Sequence, residues 1–386
     1  MKKTLISLAV LATAGTASAQ SVSIFGILDA AITHGRADGT GSGNMTQMTS
    51  GSHTISRIGF RGREDLGSGL AASFWLEAQL FLDDGRSGNT LTSSNQTPSP
   101  ANGLNFSRRA TVSLEGSWGE LRFGRDVVPS SLNLAVFDPF GNAGVGATIL
   151  VIGPPTALGA SAATFGLVPA GQGAAGPFAR ASNMVSYFSP PNLGGAYLQG
   201  SYWLGENPQN GATNEDDGTG GSLRVGYARG AFNGAVGWGR TRYRATPVAA
   251  SPGAPSGDFT SWNIGAQWTF GVARLMGLYG REKRESAVEA EGRGWLVGAS
   301  MPVGVGEIRA SFSQYEIDGG PGADPRARKL AIGYVHNLSK RTAVYATAAR
   351  VRNSDGARVA LAGSTFGAGV TNGSATGFDF GIRHAF

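Results

Sequence analysis

The sequence predicts an all-β fold, a transmembrane antiparallel β-barrel of sixteen strands, on three observations. Apolar and polar residues alternate along sixteen segments of about ten positions, as a strand with one face to oil and one to water requires. The connections between segments alternate strictly between short and long. The composition, with 61 glycines, no cysteine and 41% hydrophobic residues in 386, suits crowded barrel walls and turns better than a helical core. In a bilayer every backbone amide must bond within the protein, and a closed barrel is the sheet that achieves this.

The alternation is plain at both ends. Val22, Ile24, Leu28 and Ile32 share one face while Ser23, Asp29 and Thr33 share the other. Phe378, Phe380, Ile382, His384 and Phe386 oppose Asp379, Gly381, Arg383 and Ala385. Strands are placed at 22–33, 54–64, 70–81, 105–115, 119–126, 183–188, 195–204 and 222–229. The second half continues with 232–241, 259–269, 273–282, 292–302, 307–315, 327–336, 341–351 and 374–386. Short turns such as Asp65-Leu66-Gly67-Ser68-Gly69, Gly230-Ala231 and Phe270-Gly271-Val272 mark one rim. Long Gly-, Ser-, Asp- and Pro-rich stretches at 34–53, 82–104, 127–182, 205–221, 242–258, 283–291, 316–326 and 352–373 mark the other. Sixteen strands with both ends on one side need seven turns and eight loops, which is the number present. Short periplasmic turns and long extracellular loops are the outer-membrane pattern. A two-sheet sandwich would alternate in the same way, but sixteen strands would need two domains, and no linker divides 20–386.

Residues 1–19 read as a secretory signal. Lys2 and Lys3 form the charged start, Leu5 to Ala14 the apolar stretch and Ala17-Ser18-Ala19 the cleavage site, so the mature chain is expected to begin at Gln20. That apolar stretch is too short to span a bilayer as a helix. The uncharged run from Pro139 to Ala179 is long enough, but Pro154, Pro155, Pro169 and Pro177 would break it. The absence of cysteine excludes disulfides and thiol chemistry. The net charge of +6 lacks the basic runs and interleaved aromatics of a nucleic-acid binder, so no nucleic-acid partner is expected. No cofactor is implied.

Several segments resemble the general diffusion porins of Gram-negative outer membranes, especially their anion-preferring branch. They are Phe25-Gly26-Ile27-Leu28-Asp29, Ser56-Arg57-Ile58-Gly59-Phe60-Arg61-Gly62, Glu64-Asp65-Leu66-Gly67 and Phe74-Trp75-Leu76-Glu77. Gly119-Glu120-Leu121-Arg122-Phe123-Gly124-Arg125, Asn337-Leu338-Ser339-Lys340-Arg341-Thr342 and Gly381-Ile382-Arg383-His384-Ala385-Phe386 complete the set. The likeness covers both ends and most strands but little of the loops. It implies a homotrimer embedded in outer-membrane lipid, each barrel with its own pore narrowed by an inward-folded third loop (127–182). It also implies that the terminal Phe386 is an assembly signal read by the outer-membrane insertion machinery. By alternation alone, Phe386 is equally a member of an aromatic girdle.

Selectivity in such a channel lies in size and field. If Ile58 and Phe60 face lipid, then Arg57, Arg61 and Arg63 face the lumen. The same parity argument sends Glu77, Arg109, Arg122, Arg224, Arg274, Arg309 and Arg383 inward, and puts Arg180 inside or just above the sixth strand. Glu115, Glu120, Asp29 and Asp379 offset part of that charge. Between Val127 and Ala179 the only charged residue is Asp138, whose Asp138-Pro139-Phe140-Gly141 segment resembles the family's loop turn. Arginine outnumbers lysine 27 to 5 and stays protonated at any relevant pH. The expected constriction is therefore Arg57, Arg109 and Arg180 with Glu77 and Asp138, electropositive and suited to small anionic solutes. Arg57, Arg109 and Arg180 also match the basic cluster of the anion-preferring branch. The alternative role for some of these arginines is pairing with wall carboxylates to stiffen the barrel.

Other readings have specific requirements. A barrel hydrolase needs a nucleophile beside a base, and the four histidines, His34, His53, His336 and His384, offer no such set. His34 and His53 could meet over a metal, and Glu215-Asp216-Asp217-Gly218 could take calcium in an outer loop. A channel specific for small organic anions would use the same barrel. A sugar slide would need stacked inward aromatics, of which only Phe25 and Trp75 are expected.

Overall fold

The computed structural model of the protein describes residues 22–39, 43–88, 91–92, 98–99, 103–150, 179–212, 215–242, 257–285, 290–318, 324–361 and 370–386. The expected signal at 1–19, the Gln20 start and the loop stretch 151–178 lie outside them. Among the described residues there are nineteen strands: β1 (Ser23–Asp38), β2 (Gly43–Ser50), β3 (Arg57–Gly67), β4 (Leu70–Gln79), β5 (Leu91–Thr92), β6 (Pro98–Ser99), β7 (Arg109–Gly116), β8 (Gly119–Val127), β9 (Arg180–Phe188) and β10 (Ala196–Trp203). The second half holds β11 (Gly220–Arg229), β12 (Phe232–Thr241), β13 (Asp258–Phe270), β14 (Ala273–Glu285), β15 (Ala290–Val303), β16 (Gly306–Asp318), β17 (Arg326–Asn337), β18 (Thr342–Ser354) and β19 (Ser374–Ala385).

Each wall strand pairs antiparallel with its neighbours, in the order β1, β3, β4, β7, β8 and then β9 through β19, and β19 returns to β1. This makes sixteen positions around a closed wall, with β2 pairing to the upper part of β1 above β3. The small ladder β5–β6 stands apart. Closure is completed by the last residue: Phe386 and Gly26 exchange amide-to-carbonyl hydrogen bonds, each 3.0 Å.

Alternation is cleanest in β17. Ala327, Lys329, Ala331 and Val335 are buried, while Arg328, Leu330, Ile332 and Tyr334 are exposed. The exposed apolar side chains ring the barrel, up to Phe380 at 67% exposure, which in water would be untenable and in lipid is burial. Three two-residue turns, after β11, β13 and β15, begin with Gly230, Gly271 and Gly304 at φ 59°, 55° and 57°. Positive φ is what a tight hairpin needs, and glycine adopts it freely. Aromatic contacts between Phe232, Trp268 and Phe270 lie on this same short-turn rim.

The first expected loop, 34–53, is corrected. β1 runs on to Asp38 and the chain returns as β2, so most of that stretch is a strand hairpin and not a loop. The connection between β14 and β15 is likewise shorter than expected, 286–289.

Candidate functional site

Among the described residues three segments leave the wall and fold inward. The first is 51–56, between β2 and β3. The Asp29 side chain accepts hydrogen bonds from the backbone amides of His53 (3.0 Å) and Thr54 (2.6 Å), and from the Tyr345 hydroxyl. The second is the start of the third long connection: a turn at Pro129–Ser131, a short helix α1 (Leu132–Val136) and a chain running to Leu150. The third, 355–361, packs Val359 and Leu361 into the same apolar cluster as Val145.

The third connection is laid along the inner wall by specific bonds. Ser130 donates its amide to Ser222 Oγ (3.0 Å), and Asn133 donates to Asn263 Oδ1 (2.8 Å). The Val145 amide donates to Asp379 Oδ2 at 2.8 Å, and Lys329 Nζ donates to the Ala147 carbonyl. Glycines make room for it. A Cβ on Gly265 would stand 2.1 Å from the Phe137 ring, one on Gly298 2.5 Å from Pro139, and one on Gly333 3.1 Å from Phe140. Phe137, Phe140, Ile149 and Leu150 are thereby buried inside the barrel against β13 to β17.

The opposite stretch of wall, β3, β4 and β7 to β9, is arginine-rich. Glu77 Oε1 accepts from Arg108 Nε at 2.5 Å and from Arg57 Nη1 at 3.4 Å. Arg109 lies over the Trp75 ring at 4.6 Å, with Nε 3.5 Å from Asp126. Arg180 donates Nε to the Arg108 carbonyl (2.9 Å), and Arg125 donates Nε to the Ser107 carbonyl (2.7 Å). Arg122 bonds Glu120 at 2.9 Å and Asp126 at 2.5 Å, and covers the Phe188 ring. Four arginines (57, 108, 109, 122) thus pair with three carboxylates (Glu77, Glu120, Asp126), and Arg125 and Arg180 beside them bond backbone carbonyls, so these nine groups carry an excess of three positive charges.

Of the expected constriction residues, the structure brings Arg57, Arg109, Arg180 and Glu77 together on this wall. Asp138 is elsewhere. It is 3% exposed and accepts the amides of Phe140, Asn142 and Thr148 at 3.0–3.1 Å, holding the loop's own turn. Burial pushes its carboxyl up from the ordinary value, against the pull of those amides. Arg61 stacks on Phe25 and Trp75, each at 5.2 Å, and Arg63 pairs with Glu115 at 3.2 Å. Arg224 is bonded to Asn133 Oδ1 (2.6 Å) and so supports α1. Arg309 bonds Glu307 and His53, and Arg274 and Arg383 lie toward the short-turn rim. Asp29 and Asp379 sit beneath inward segments, each 2% exposed or less, and act as anchors for them.

Parity missed Arg108, because it precedes the first residue of β7 and strand alternation does not extend to it. Arg125 escaped for a related reason: the register shifts between Gly124 and Asp126. Lys329, fully buried behind the third connection, has the inward parity of β17 and could have been found by it. His34 faces outward and bonds Thr46, while His53 lies inside against Tyr345, so the two do not meet. In the acidic outer loop, Glu215 accepts the Gly211 amide and Asp216 lies 3.8 Å from Arg242. Among the described residues no group of three or more His, Asp or Glu is placed to hold a metal ion.

Comparison with known proteins agrees with this architecture. Residues 5–356 match the family described as Gram-negative porin. The chain belongs to the Gram-negative porin family. It is 38% identical to outer membrane porin protein 32 of Delftia acidovorans, over the full length of both. It is 28% identical to an outer membrane porin of Bordetella pertussis, again over the full length of both. Among solved structures it is similar to the anion-selective porin from Comamonas acidovorans, with TM-score 0.77 and 34% identity, covering 95% of this chain and 100% of that one. This porin is therefore an outer-membrane diffusion channel of a Gram-negative bacterium.

Proposed function

We propose that this porin passes small anions in preference to cations, through a constriction whose charge comes from Arg57, Arg108, Arg109 and Arg180. The observation that carries the proposal is the excess of arginine over carboxylate on β3, β4 and β7 to β9, facing a third connection with one charged residue, itself buried. A basic ring in a low-dielectric channel concentrates anions and repels cations. The likeness to an anion-selective porin, at 34% identity, supports the same reading. Glu77 orients Arg57 and Arg108 and trims their charge. Arg61, Arg63 and Arg122 extend the basic track along the wall.

The reading extends to biogenesis and assembly. Residues 1–19 act as a cleaved export signal, Phe386 is read by the insertion machinery, and three barrels associate through lipid-facing strands. The ion preference is tested by the reversal potential across a salt gradient in a planar bilayer. The refolded protein should give a potential of the sign for chloride over potassium. Neutralising Arg57 and Arg109 together should collapse it. An unchanged potential in that variant would refute the assignment.

A further inference from the structure

The lipid-facing wall between β17 and β19 is dished rather than convex. Ala346 and Ala348 on β18 form the floor, Ile332 and Tyr334 on β17 one bank, and Phe378 and Phe380 on β19 the other. The hollow has a volume of about 630 Å³ and is almost wholly apolar. One row toward the long-loop rim the same face becomes basic: Arg350 and Arg36 flank Thr376. One row further, Arg328 and Arg352 stand directly opposite each other across the β17–β18 pair. Like charges directly opposed weaken a strand pair. Arg328 donates to Gln314 Oε1 (2.9 Å) and Arg350 to Ser374 Oγ (3.3 Å). Among the described residues none of Arg328, Arg350 and Arg352 pairs with a carboxylate; only Arg36 does, with Asp38 at 3.0 Å.

We propose that this face binds one phosphorylated lipid of the outer leaflet. Its acyl chain lies in the alanine-floored groove, and its phosphate bridges Arg328 and Arg352 with Arg350 alongside. The spacing fits: two residues along a strand span about 7 Å, so the arginines stand at headgroup height directly above the groove. A phosphate also removes the repulsion that the opposed pair otherwise carries, and arginine's planar fork matches its oxygens. A second copy of the chain is a poorer occupant, because it would have to bring free acids to this height. Two outward acids of neighbouring strands are already paired, Glu316 with Arg293 and Arg326, and Glu291 with Arg281. The inference is independent of the ion preference of the pore.

Native mass spectrometry of the refolded full chain, titrated with phosphatidic acid, phosphatidylcholine or inorganic phosphate, tests this. The wild-type protein should retain one phosphatidic acid in preference to phosphatidylcholine. R328Q/R352Q should weaken that preference about tenfold or more, and R328K/R352K, which keeps the charge without the fork, should restore only part of it. A346L/A348L, which fills the groove, should weaken retention of both lipids. Millimolar inorganic phosphate should not displace the lipid. Unchanged single-channel conductance verifies that each variant is an intact barrel. Equal retention of the two lipids by the wild type, or no loss in R328Q/R352Q, would overturn the proposal. So would displacement by phosphate alone, which marks a simple ion site, or dissociation of an oligomer in A346L/A348L, which marks a protein interface.

Discussion

The two halves of this barrel's inner wall solve opposite problems. From β13 to β19 the wall is lined with glycine and small residues, and three inward segments press on it to build an apolar core inside a membrane protein. From β3 to β9 the wall keeps its long side chains, and arginines held by a few acids project where water can reach them. One half gives up its lumen to rigidity and the other keeps it for solute. On this reading, selectivity depends on which wall the third connection covers as much as on which charges the strands carry. Arg224 shows this. It stands on the inner face like Arg57, but α1 lies over it, so it is spent as a hydrogen-bond donor to Asn133.

Four measurements probe that contrast. The largest effect is expected for Glu77→Gln, which leaves Arg57 and Arg108 without their shared acid. Loss of one partner of a largely buried ion pair costs about 3 kcal/mol or more. Urea unfolding in detergent should show that loss, and the reversal potential should move further toward chloride. Next is Gly265→Val, which forces atoms into the space of the Phe137 ring. Overpacking of this kind costs about 1–3 kcal/mol, and the third connection should lift from its wall, seen as noisier and altered single-channel conductance. Adding Phe137→Ala should restore a quiet channel; if it does not, the packing account is wrong. Arg63→Gln should change stability by less than about 1 kcal/mol, since its partner lies in an exposed pair. A reversal potential shifted as far as in an Arg57 variant would show that the selective zone extends well below the cluster. Finally, ion preference should stay flat between about pH 6 and about pH 9, because guanidinium groups do not titrate there. A pronounced step in that range would assign the field to another group.

Much of the fold was legible, because a barrel strand must alternate and a tight turn must break. β17 and β19 read directly from the sequence for that reason. β2 did not, since the two apolar residues of Gly43-Asn44-Met45-Thr46-Gln47-Met48-Thr49-Ser50, Met45 and Met48, stand three positions apart and break the alternation. The gathering of Arg57, Arg109 and Arg180 near Glu77 could be approached by parity, whereas Arg108 stands outside the strand where parity has no force. Which inner-wall groups end up covered depends on the path of a connection far away in sequence. The clues were the glycines facing it, and a glycine's reason for being small is invisible until its neighbour is known.

The pairing of Phe386 with Gly26 carries a consequence for synthesis. The first strand has no neighbour on that side until β19 has arrived. A chain stopped short would hold two raw sheet edges, each a template for promiscuous pairing. Because the seam joins residues at opposite ends of the polypeptide, its formation should be slow and late. Both raw edges vanish only when β1 and β19 meet.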